Sequence, residues 1–396
     1  MTATGGHARG AHEAPDHELP DRLRDVDLQV PTRVVFAAGA LDRLGELTRP
    51  HGSRALLVTG RSAARAYGYL DRAVESLATA GMTVTVQDLV SANPRSDEVD
   101  AAAAAARRHG CDVVVGLGGG SAVDAAKATA AAVGAGTSVR ELIGTTLDPA
   151  TPVLPVVAVP TTAGSGSEVT RGAIITDIER RFRSEVRGEA LFPRTALIDP
   201  ALVASVPLPV VAETAFAAFA HAVEGCVAAQ ATALSRRLGH RTIGLVAEHL
   251  PAALRGATTA ATRDGLCMAA LLGGVNVATV STCLPHRLQQ AMGALPGLGI
   301  SHGRGLAVLY PAWLRHTAPL APGPFQDIAA VLGAGDVHTA VEGLLKSSGL
   351  SARLGAFGVT RDDLPVLVAS VSGDLANDPA GEAAAGRLQA IYADAL

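Results

Sequence analysis

The sequence predicts an α/β N-terminal domain followed by an all-α C-terminal domain. Short apolar runs alternate with helical segments up to residue 199, and beyond this point the pattern is helical almost to the end. A parallel sheet covered by helices on both faces accounts for that alternation. We expect a disordered tail at residues 1–26, the α/β domain at residues 27–204 and the helical domain at residues 205–396.

The individual elements follow from apolar runs bounded by turn-forming residues. Strands are predicted at 34–36, 55–59, 84–89, 113–116 and 156–159, and a hairpin at 172–177 and 181–186. Helical periodicity covers 62–80, 96–109 and 121–133. The helical domain begins after the proline-rich turn 206–209 and contains loops at 294–302 and 317–324.

Composition excludes several classes of protein. The formal net charge is -4, which gives no reason to expect nucleic acid or an acidic membrane as a partner. Cysteines at 111, 226, 267 and 283 form no CxxC pair, so reduced thiols in a cytoplasmic protein are expected. No uninterrupted apolar run reaches the roughly 18 residues of a membrane span. The expected partner is a small-molecule substrate.

A glycine turn in segment 112–127 is the sharpest local signal. A buried strand ends in Gly118, Gly119 and Gly120, and Ser121 is then expected to cap a helix. Glycines let the backbone approach a bulky ligand, and free amides at a helix start suit a pyrophosphate. The alternative is a tight strand-to-helix turn that binds no ligand.

A second loop, at residues 160–168, follows another strand end. In a parallel sheet both loops emerge at the carboxyl edge, where open α/β sheets bind ligands. The hydroxyls of Thr161, Thr162, Ser165 and Ser167 offer hydrogen bonds to phosphate, ribose or amide groups. A solvated polar loop would not need the two glycines found here beside a buried strand. The two loops together predict a nucleotide cleft.

The chain resembles the iron-containing (group III) alcohol dehydrogenases, which include maleylacetate reductases and are related to dehydroquinate synthase folds. Four motifs carry the resemblance in family order: the glycine turn with Asp124 and Lys127, the PTTAGSGSEVT stretch 160–170, Asp199-Pro200, and His221-Ala-Val-Glu224. Matching segments run from residue 31 to residue 379. The resemblance implies an NAD(P)-dependent oxidoreductase of dehydroquinate synthase-like architecture, commonly a homodimer.

By this resemblance, several residues are expected to bind the cofactor. Gly118, Gly119, Gly120 and Ser121 would hold the pyrophosphate and Asp124 would shape the turn, while Thr161, Thr162, Ser165 and Asn93 would lie near the cofactor. Gly60 occupies the place where many members carry an aspartate that would repel a 2′-phosphate. With Arg61 beside it, both NAD and NADP stay open, and Gly60 is equally explained as a turn residue.

The metal site departs from the family pattern of one Asp and three His. His221, His286 and His302 match the histidines, but Ala217 stands in place of the aspartate four residues before His221. A further family histidine near the nicotinamide is replaced by Gln290. Three interpretations remain: a three-histidine Zn or Fe site, metal-free contacts to the substrate, or relics that are satisfied by internal hydrogen bonds. We favour metal-free contacts.

Other cleft residues carry weaker expectations. Glu224 is interpreted as a packing or orienting carboxylate. Arg183 lies roughly where the family places a basic cofactor contact, but we expect it to face solvent. Phe216, Phe219, Cys283 and Leu295 suggest an apolar pocket.

The expected function is reduction of a small carbonyl or activated alkene by NAD(P)H without a metal. Charge on the carbonyl oxygen must then be stabilised and a proton supplied, roles open to His221, His286 or His302 but not to Gln290, which cannot deliver a proton. The loss of the family Asp and His motivates the alternative of non-redox chemistry, such as dehydration, cyclisation or condensation. A catalytically inactive binding protein is a third possibility that no sequence feature supports.

Overall fold

The computed structural model describes residues 26–256, 258–295, 297–382 and 384–396. The predicted tail falls on residues 1–26 and so lies, apart from residue 26, outside the described residues. The predicted fold class is confirmed: an α/β unit with a parallel sheet precedes a helical unit. The domain boundary predicted after residue 204 falls within the 3₁₀ turn Leu202–Ser205, just before the first helix of the second unit.

The sheet of the first unit has six parallel strands in the order β1-β8-β5-β4-β2-β3. A separate antiparallel hairpin is formed by β6 and β7. The strands are β1 Arg33–Phe36, β2 Arg54–Gly60, β3 Thr83–Val90, β4 Val113–Gly118, β5 Val156–Pro160, β6 Gly172–Asp177, β7 Phe182–Arg187 and β8 Thr195–Ile198. Because β4 and β5 are neighbours, the glycine turn and the second loop leave the sheet side by side, with Gly118 opposite Pro160.

Helices cover both faces of this sheet, as predicted. They are α1 Leu44–Thr48, α2 Ala63–Ala66, α3 Tyr69–Thr79, α4 Ser96–Arg108, α5 Gly120–Ala135 and α6 Val139–Leu142. Along β2, Leu56 and Val58 join the core under α4 and α5, whereas Ala55 and Leu57 join the core under α1 and α3. Alternate residues of a strand therefore bury on opposite faces, which explains the continuous apolar runs.

Two predictions for this unit need correction. Strand β8 was not predicted, although it pairs with both β1 and β5 inside the sheet. The single helix expected at 62–80 is two helices, because Gly68 takes a left-handed φ of 72° between them.

The second unit is a helical bundle with one continuous core. Its helices are α7 Leu208–Val227, α8 Ala233–Leu254, α9 Ala260–Val280, α10 Leu284–Ala291, α11 His302–Thr317, α12 Pro322–Val331, α13 Val337–Ser347, α14 Leu364–Ala369 and α15 Ala385–Ala395. The loop predicted at 317–324 is wrong: a 3₁₀ turn at Ala318–Leu320 joins α11 directly to α12.

Helix α7 is the one continuous helix among the described residues that is long and apolar enough to cross a membrane. Over an 18-residue stretch of this helix the mean hydropathy is 1.4, and 78% of the stretch is buried inside the protein. It packs against α8, α9 and α11. Its apolar character therefore follows from its central place in the bundle.

Candidate active site

The glycine turn forms the first wall of a cleft between the two units. Helix α5 begins at Gly120, one residue earlier than predicted, and Gly119 is its N-cap. Ser121 therefore does not cap the helix; its Oγ accepts a hydrogen bond of 3.3 Å from the backbone N–H of Asn93. The first amides of a helix have no acceptor within it. The positive end of α5 consequently faces the cleft and suits an anionic ligand.

The second loop lies against the glycine turn. A Cβ added to Gly120 would lie 2.6 Å from the Ser165 Cβ, so only glycine fits there. The two glycines of this loop have a structural explanation that the sequence did not reveal. A Cβ on Gly166 would lie 2.3 Å from the Cα of Gly274 in α9, and one on Gly164 would lie 2.1 Å from the Thr214 carbonyl oxygen in α7. These glycines let the loop dock against the helical unit.

Lys127 and Asp124 hold the two loops together. Lys127 is fully buried, and its Nζ donates to the Ser167 carbonyl at 2.9 Å and to the Thr170 carbonyl at 3.2 Å. Asp124 accepts from the Ser167 hydroxyl and from the Ile174 amide, and one of its carboxylate oxygens lies 3.7 Å from Nζ. Asp124 thus fixes the second loop and the hairpin to α5, rather than shaping the glycine turn as predicted.

These walls enclose a cavity of about 440 Å³. Most residues expected from the sequence to bind a cofactor line it: Asn93, Gly119, Gly120, Ser121, Asp124, Thr162 and Ser165. The predicted catalytic residues His221, His286, His302 and Gln290 line the same cavity, as does Ala217. Gly118, Thr161 and Gly60 do not line it. Gly118 and Thr161 are joined to each other by a backbone hydrogen bond of 2.9 Å.

Gly60 lies at the carboxyl end of β2, where a Cβ would come no closer than 3.7 Å to a neighbouring atom, the Val90 carbonyl oxygen. The backbone there has room for a side chain. Arg61 beside it is not free: its guanidinium pairs with Glu98 at 2.8 Å and donates to the Leu89 carbonyl. The structure thus shows no dedicated 2′-phosphate site at this residue.

The three histidines form a compact triangle. One ring nitrogen from each of His221, His286 and His302 lies within 4.8 Å of the others. The rings of His221 and His286 are stacked with centroids 4.8 Å apart, and those of His286 and His302 are 5.3 Å apart. Helices α7, α10 and α11 each contribute one histidine. The structure thus joins three residues that lie up to 81 positions apart in sequence.

Neighbouring side chains orient two of these rings. His286 Nδ1 lies 2.8 Å from both carboxylate oxygens of Glu224, and His302 Nδ1 lies 2.6 Å from Gln289 Oε1. Because these oxygens accept, each Nδ1 carries a proton, and each Nε2 is the ring nitrogen left for another partner. Glu224 also accepts from the Cys283 amide at 2.7 Å, so its predicted orienting role agrees with its contacts.

The triangle fits a divalent cation. The Nε2 of His286 and the Nδ1 of His221 are buried and have no hydrogen-bond partner among the described residues. Burial, reinforced by neighbouring His286, lowers the pKa of His221 and of His302 well below the usual histidine range, so both rings are neutral, the form that a cation requires. A carboxylate that orients a ligating imidazole is typical of histidine metal sites. Without a ligand from Ala217, the donor set is three imidazoles, which suits zinc better than iron.

Several side chains occupy unexpected places. Arg183 does not face solvent: it lines the cavity, and burial lowers its pKa to about 10. Phe216, Phe219 and Cys283 do not line the cleft, because Phe216 and Phe219 pack against Tyr310 and all three are buried in the helical core. Leu295 borders a neighbouring cavity of about 520 Å³ that also contacts Asn93 and Arg183.

Sequence reasoning missed several residues of the cleft, and three of them are polar side chains near the histidines. Arg187 of β7, Arg287 of α10 and Ser281 all line the cavity. Arg287 follows His286 directly, but an isolated arginine gives no sequence signal that separates a cleft residue from a solvent-exposed one. Ser281 has a φ of 61°, which no propensity rule predicts for serine.

Comparisons with known proteins agree with this geometry. A model of iron-containing alcohol dehydrogenases matches residues 31–200, and one of the C-terminal part of the Fe-containing alcohol dehydrogenase family matches residues 211–396. Probable alcohol dehydrogenase EutG of Escherichia coli strain K12 is 30% identical over 337 residues, which cover 84% of each chain.

Solved structures give the same result. A crystal structure of a 1,3-propanediol oxidoreductase has a TM-score of 0.87 at 28% identity and covers 94% of this chain and 100% of its own. A sulfoacetaldehyde reductase from Bifidobacterium kashiwanohense, solved in complex with NAD⁺, has a TM-score of 0.82 at 27% identity and covers 93% of this chain and 98% of its own.

Proposed function

This chain belongs to the iron-containing alcohol dehydrogenase family, and we propose that it reduces a small carbonyl compound with NADH or NADPH. One observation carries the proposal: the glycine turn and the histidine triangle line the same cavity. A dinucleotide held at the turn can therefore extend toward a substrate held at the histidines. An activated alkene conjugated to a carbonyl would present the same oxygen to the same residues.

The cofactor half of the site is supported by the orientation of α5. The amides at Gly120 and Ser121 would hold the pyrophosphate, with Thr162 and Ser165 on the facing loop. When bound, the nicotinamide supplies hydride to the carbonyl carbon. Lys127 and Asp124 act indirectly, since they fix the spacing of the two loops.

The histidine half would bind the substrate oxygen. Negative charge that develops on this oxygen needs stabilisation. The Nδ1 atoms of His286 and His302 are directed at Glu224 and Gln289, so their Nε2 atoms are the ring nitrogens left to face a ligand. A divalent cation on His221, His286 and His302 would act there as a Lewis acid.

The expected metal independence stays a prediction, and the hydrogen bonds around the triangle favour the alternative of a three-histidine cation site. Elemental analysis of purified protein, with equilibrium binding of Zn²⁺ to the chelator-treated protein, distinguishes the two. Tight binding of one Zn²⁺ that is lost in His286→Ala supports the cation site. Full reductase activity in protein without metal supports the metal-free enzyme.

A direct test of the proposal is a fluorescence titration with NADH and NADPH, followed by an aldehyde-dependent decrease in reduced-nicotinamide absorbance. Binding of neither nucleotide would overturn the proposal. The non-redox alternative rests on Ala217 and on Gln290, which places an amide in the cleft where the family has a histidine. Substrate turnover that persists without nucleotide and leaves the absorbance unchanged would favour that alternative.

We also propose a homodimer. Strand β1 is an edge strand of the sheet, and its Val34 is 38% exposed. An exposed edge with apolar side chains is suited to association with another chain. Light scattering that reports a monomer at micromolar concentration would contradict this proposal.

A further inference from the structure

We infer that the substrate carries an oxyanion group, such as a carboxylate, sulfonate or phosphonate, which Arg287, Arg187 and Ser281 bind at one end of the cleft. The inference rests on the proposed reductase function and adds the substrate class. Its starting point is a pair of cleft arginines that the proposed chemistry does not use.

Arg287 is a buried cation that has no acidic partner in the described ranges. It is 7% exposed, its Nε has no hydrogen-bond partner, and no carboxylate of the described residues forms an ion pair with it. Within the described part of the chain, its one side-chain hydrogen bond runs from Nη2 to the Ser281 Oγ at 3.4 Å. Burying an unpaired charge is unfavourable. A cation in this state at the wall of a ligand cavity is explained if the ligand supplies the negative charge.

Arg187 approaches the same hydroxyl from the other unit of the protein. Its Nη2 donates to Ser281 Oγ, also at 3.4 Å. Its Nε forms an ion pair of 2.9 Å with Glu185 Oε2, although it is not aligned for a hydrogen bond, so Arg287 is the cation that lacks an acidic partner among the described residues. Two guanidinium groups therefore converge on one neutral oxygen, which leaves more N–H donors than acceptors. An oxyanion group accepts several such hydrogen bonds at once.

The backbone at Ser281 supports a ligand role. Its φ of 61° and ψ of -164° lie in a region that is occupied almost only by glycine. A serine here stores strain that glycine would avoid. Strained residues cluster at ligand sites, where the side chain is needed in place. The Ser281 hydroxyl, between two arginines, is such a side chain.

The position of this cluster fits a small substrate. Arg287 is adjacent in sequence to His286, and both line the cavity of about 440 Å³ that also holds the glycine turn. One short molecule can thus place a carbonyl oxygen at the histidines and an anionic group at the arginines. The pyrophosphate of the cofactor is provided for separately by the amides at the start of α5.

The test compares a charged and a neutral aldehyde of similar length, succinate semialdehyde and butanal, with NADH and with NADPH. We expect the wild type to prefer the charged aldehyde in kcat/KM. In Arg287→Met, which keeps an unbranched apolar stem, we expect this preference to fall ~100-fold, and in Arg187→Met at least ~10-fold, as for lost hydrogen bonds to a charged group. Arg43→Met, at an exposed arginine paired with Glu46, should leave the preference unchanged.

Calorimetric titration with butanoate and butanamide tests the site without turnover. We expect butanoate to bind more tightly than butanamide to the wild type. We expect Arg287→Met to weaken the binding of butanoate ~10-fold or more. This arm stays informative if no aldehyde is reduced, in which case the proposed function fails and the anion site stands. Equal preferences in the wild type and in both arginine variants would overturn the inference. So would variants that weaken only nucleotide binding, because the arginines would then serve the cofactor.

Discussion

Lys127→Met should destabilise the protein strongly, because this buried lysine joins the two loops of the cofactor half. The substitution removes the donor to the Ser167 and Thr170 carbonyls and the cation 3.7 Å from Asp124. Burial alone lowers the pKa of Lys127 and raises that of Asp124, so each charge depends on the other. Removing one partner of a buried ion pair costs about 3–5 kcal/mol.

The assay is urea unfolding followed by circular dichroism. A loss of that size corresponds to a decrease of the midpoint on the order of 1–2 M for the α/β unit. The chain offers a matched control, since Lys346 is its one other lysine and is exposed. We expect the free energy of unfolding of Lys346→Met to stay within about 0.5 kcal/mol of the wild-type value.

A double substitution distinguishes the ion pair from simple packing. If Asp124 is left unpaired in Lys127→Met, then adding Asp124→Asn to that variant should lower the free energy of unfolding by less than the same substitution does in the wild type. An unchanged midpoint in Lys127→Met, or strictly additive effects of the two substitutions, would refute the reasoning.

Three further predictions concern the α/β unit and its cofactor. Burial raises the pKa of the Glu168 carboxyl to about 6 in the folded protein. The folded state therefore binds the carboxyl proton more tightly than the unfolded state, and the stability that this proton confers is lost as pH rises from 4.5 through 6. We therefore expect the free energy of unfolding of Glu168→Gln to exceed that of the wild type by about 2 kcal/mol at pH 8 and by little at pH 4.5. A difference in unfolding free energy that does not depend on pH would contradict this. Gly60→Asp should weaken the binding of NADPH about tenfold relative to NADH, because a carboxylate would repel the 2′-phosphate. The uncharged substitution Gly60→Asn should leave the ratio of the two dissociation constants unchanged. Equal effects of both substitutions on this ratio would count against a position of Gly60 near the 2′-phosphate. Asp199→Ala should lower the free energy of unfolding by about 3 kcal/mol, since the carboxylate accepts from the amides of Gly39, Leu41 and Ala201, and Asp199→Asn should recover part of the loss in the same urea assay.

The sheet shows where sequence reasoning succeeds and where it fails. Strands β2, β4 and β5 are predictable because they are buried on both faces and therefore read as uninterrupted apolar runs. Strand β8 has only four residues, and its place between β1 and β5 depends on pairing with segments 162 and 38 positions away. Local pattern does not contain that information.

The site shows a similar division. The glycine turn was recognised from its own residues, and the three histidines were recognised from the resemblance to the family. The partners that orient them were less accessible: Gln289 contacts His302 only because α10 and α11 pack together. Arg183 was expected to face solvent because hairpin β6–β7 was read without its docking against the helical unit, where an added Gly293 Cβ would lie 2.7 Å from the Arg183 Cβ. Side-chain placement of this kind depends on tertiary packing.

Nucleotide affinity of Gly120→Ala is the most direct test of the claim that amides at the start of α5 hold a dinucleotide. The added methyl would lie 2.6 Å from Ser165 and push the second loop away from the turn. We expect the wild type to bind NADH or NADPH saturably in a fluorescence titration, and a folded Gly120→Ala to bind at least ~100-fold more weakly. Equal affinities in the two proteins would contradict the claim.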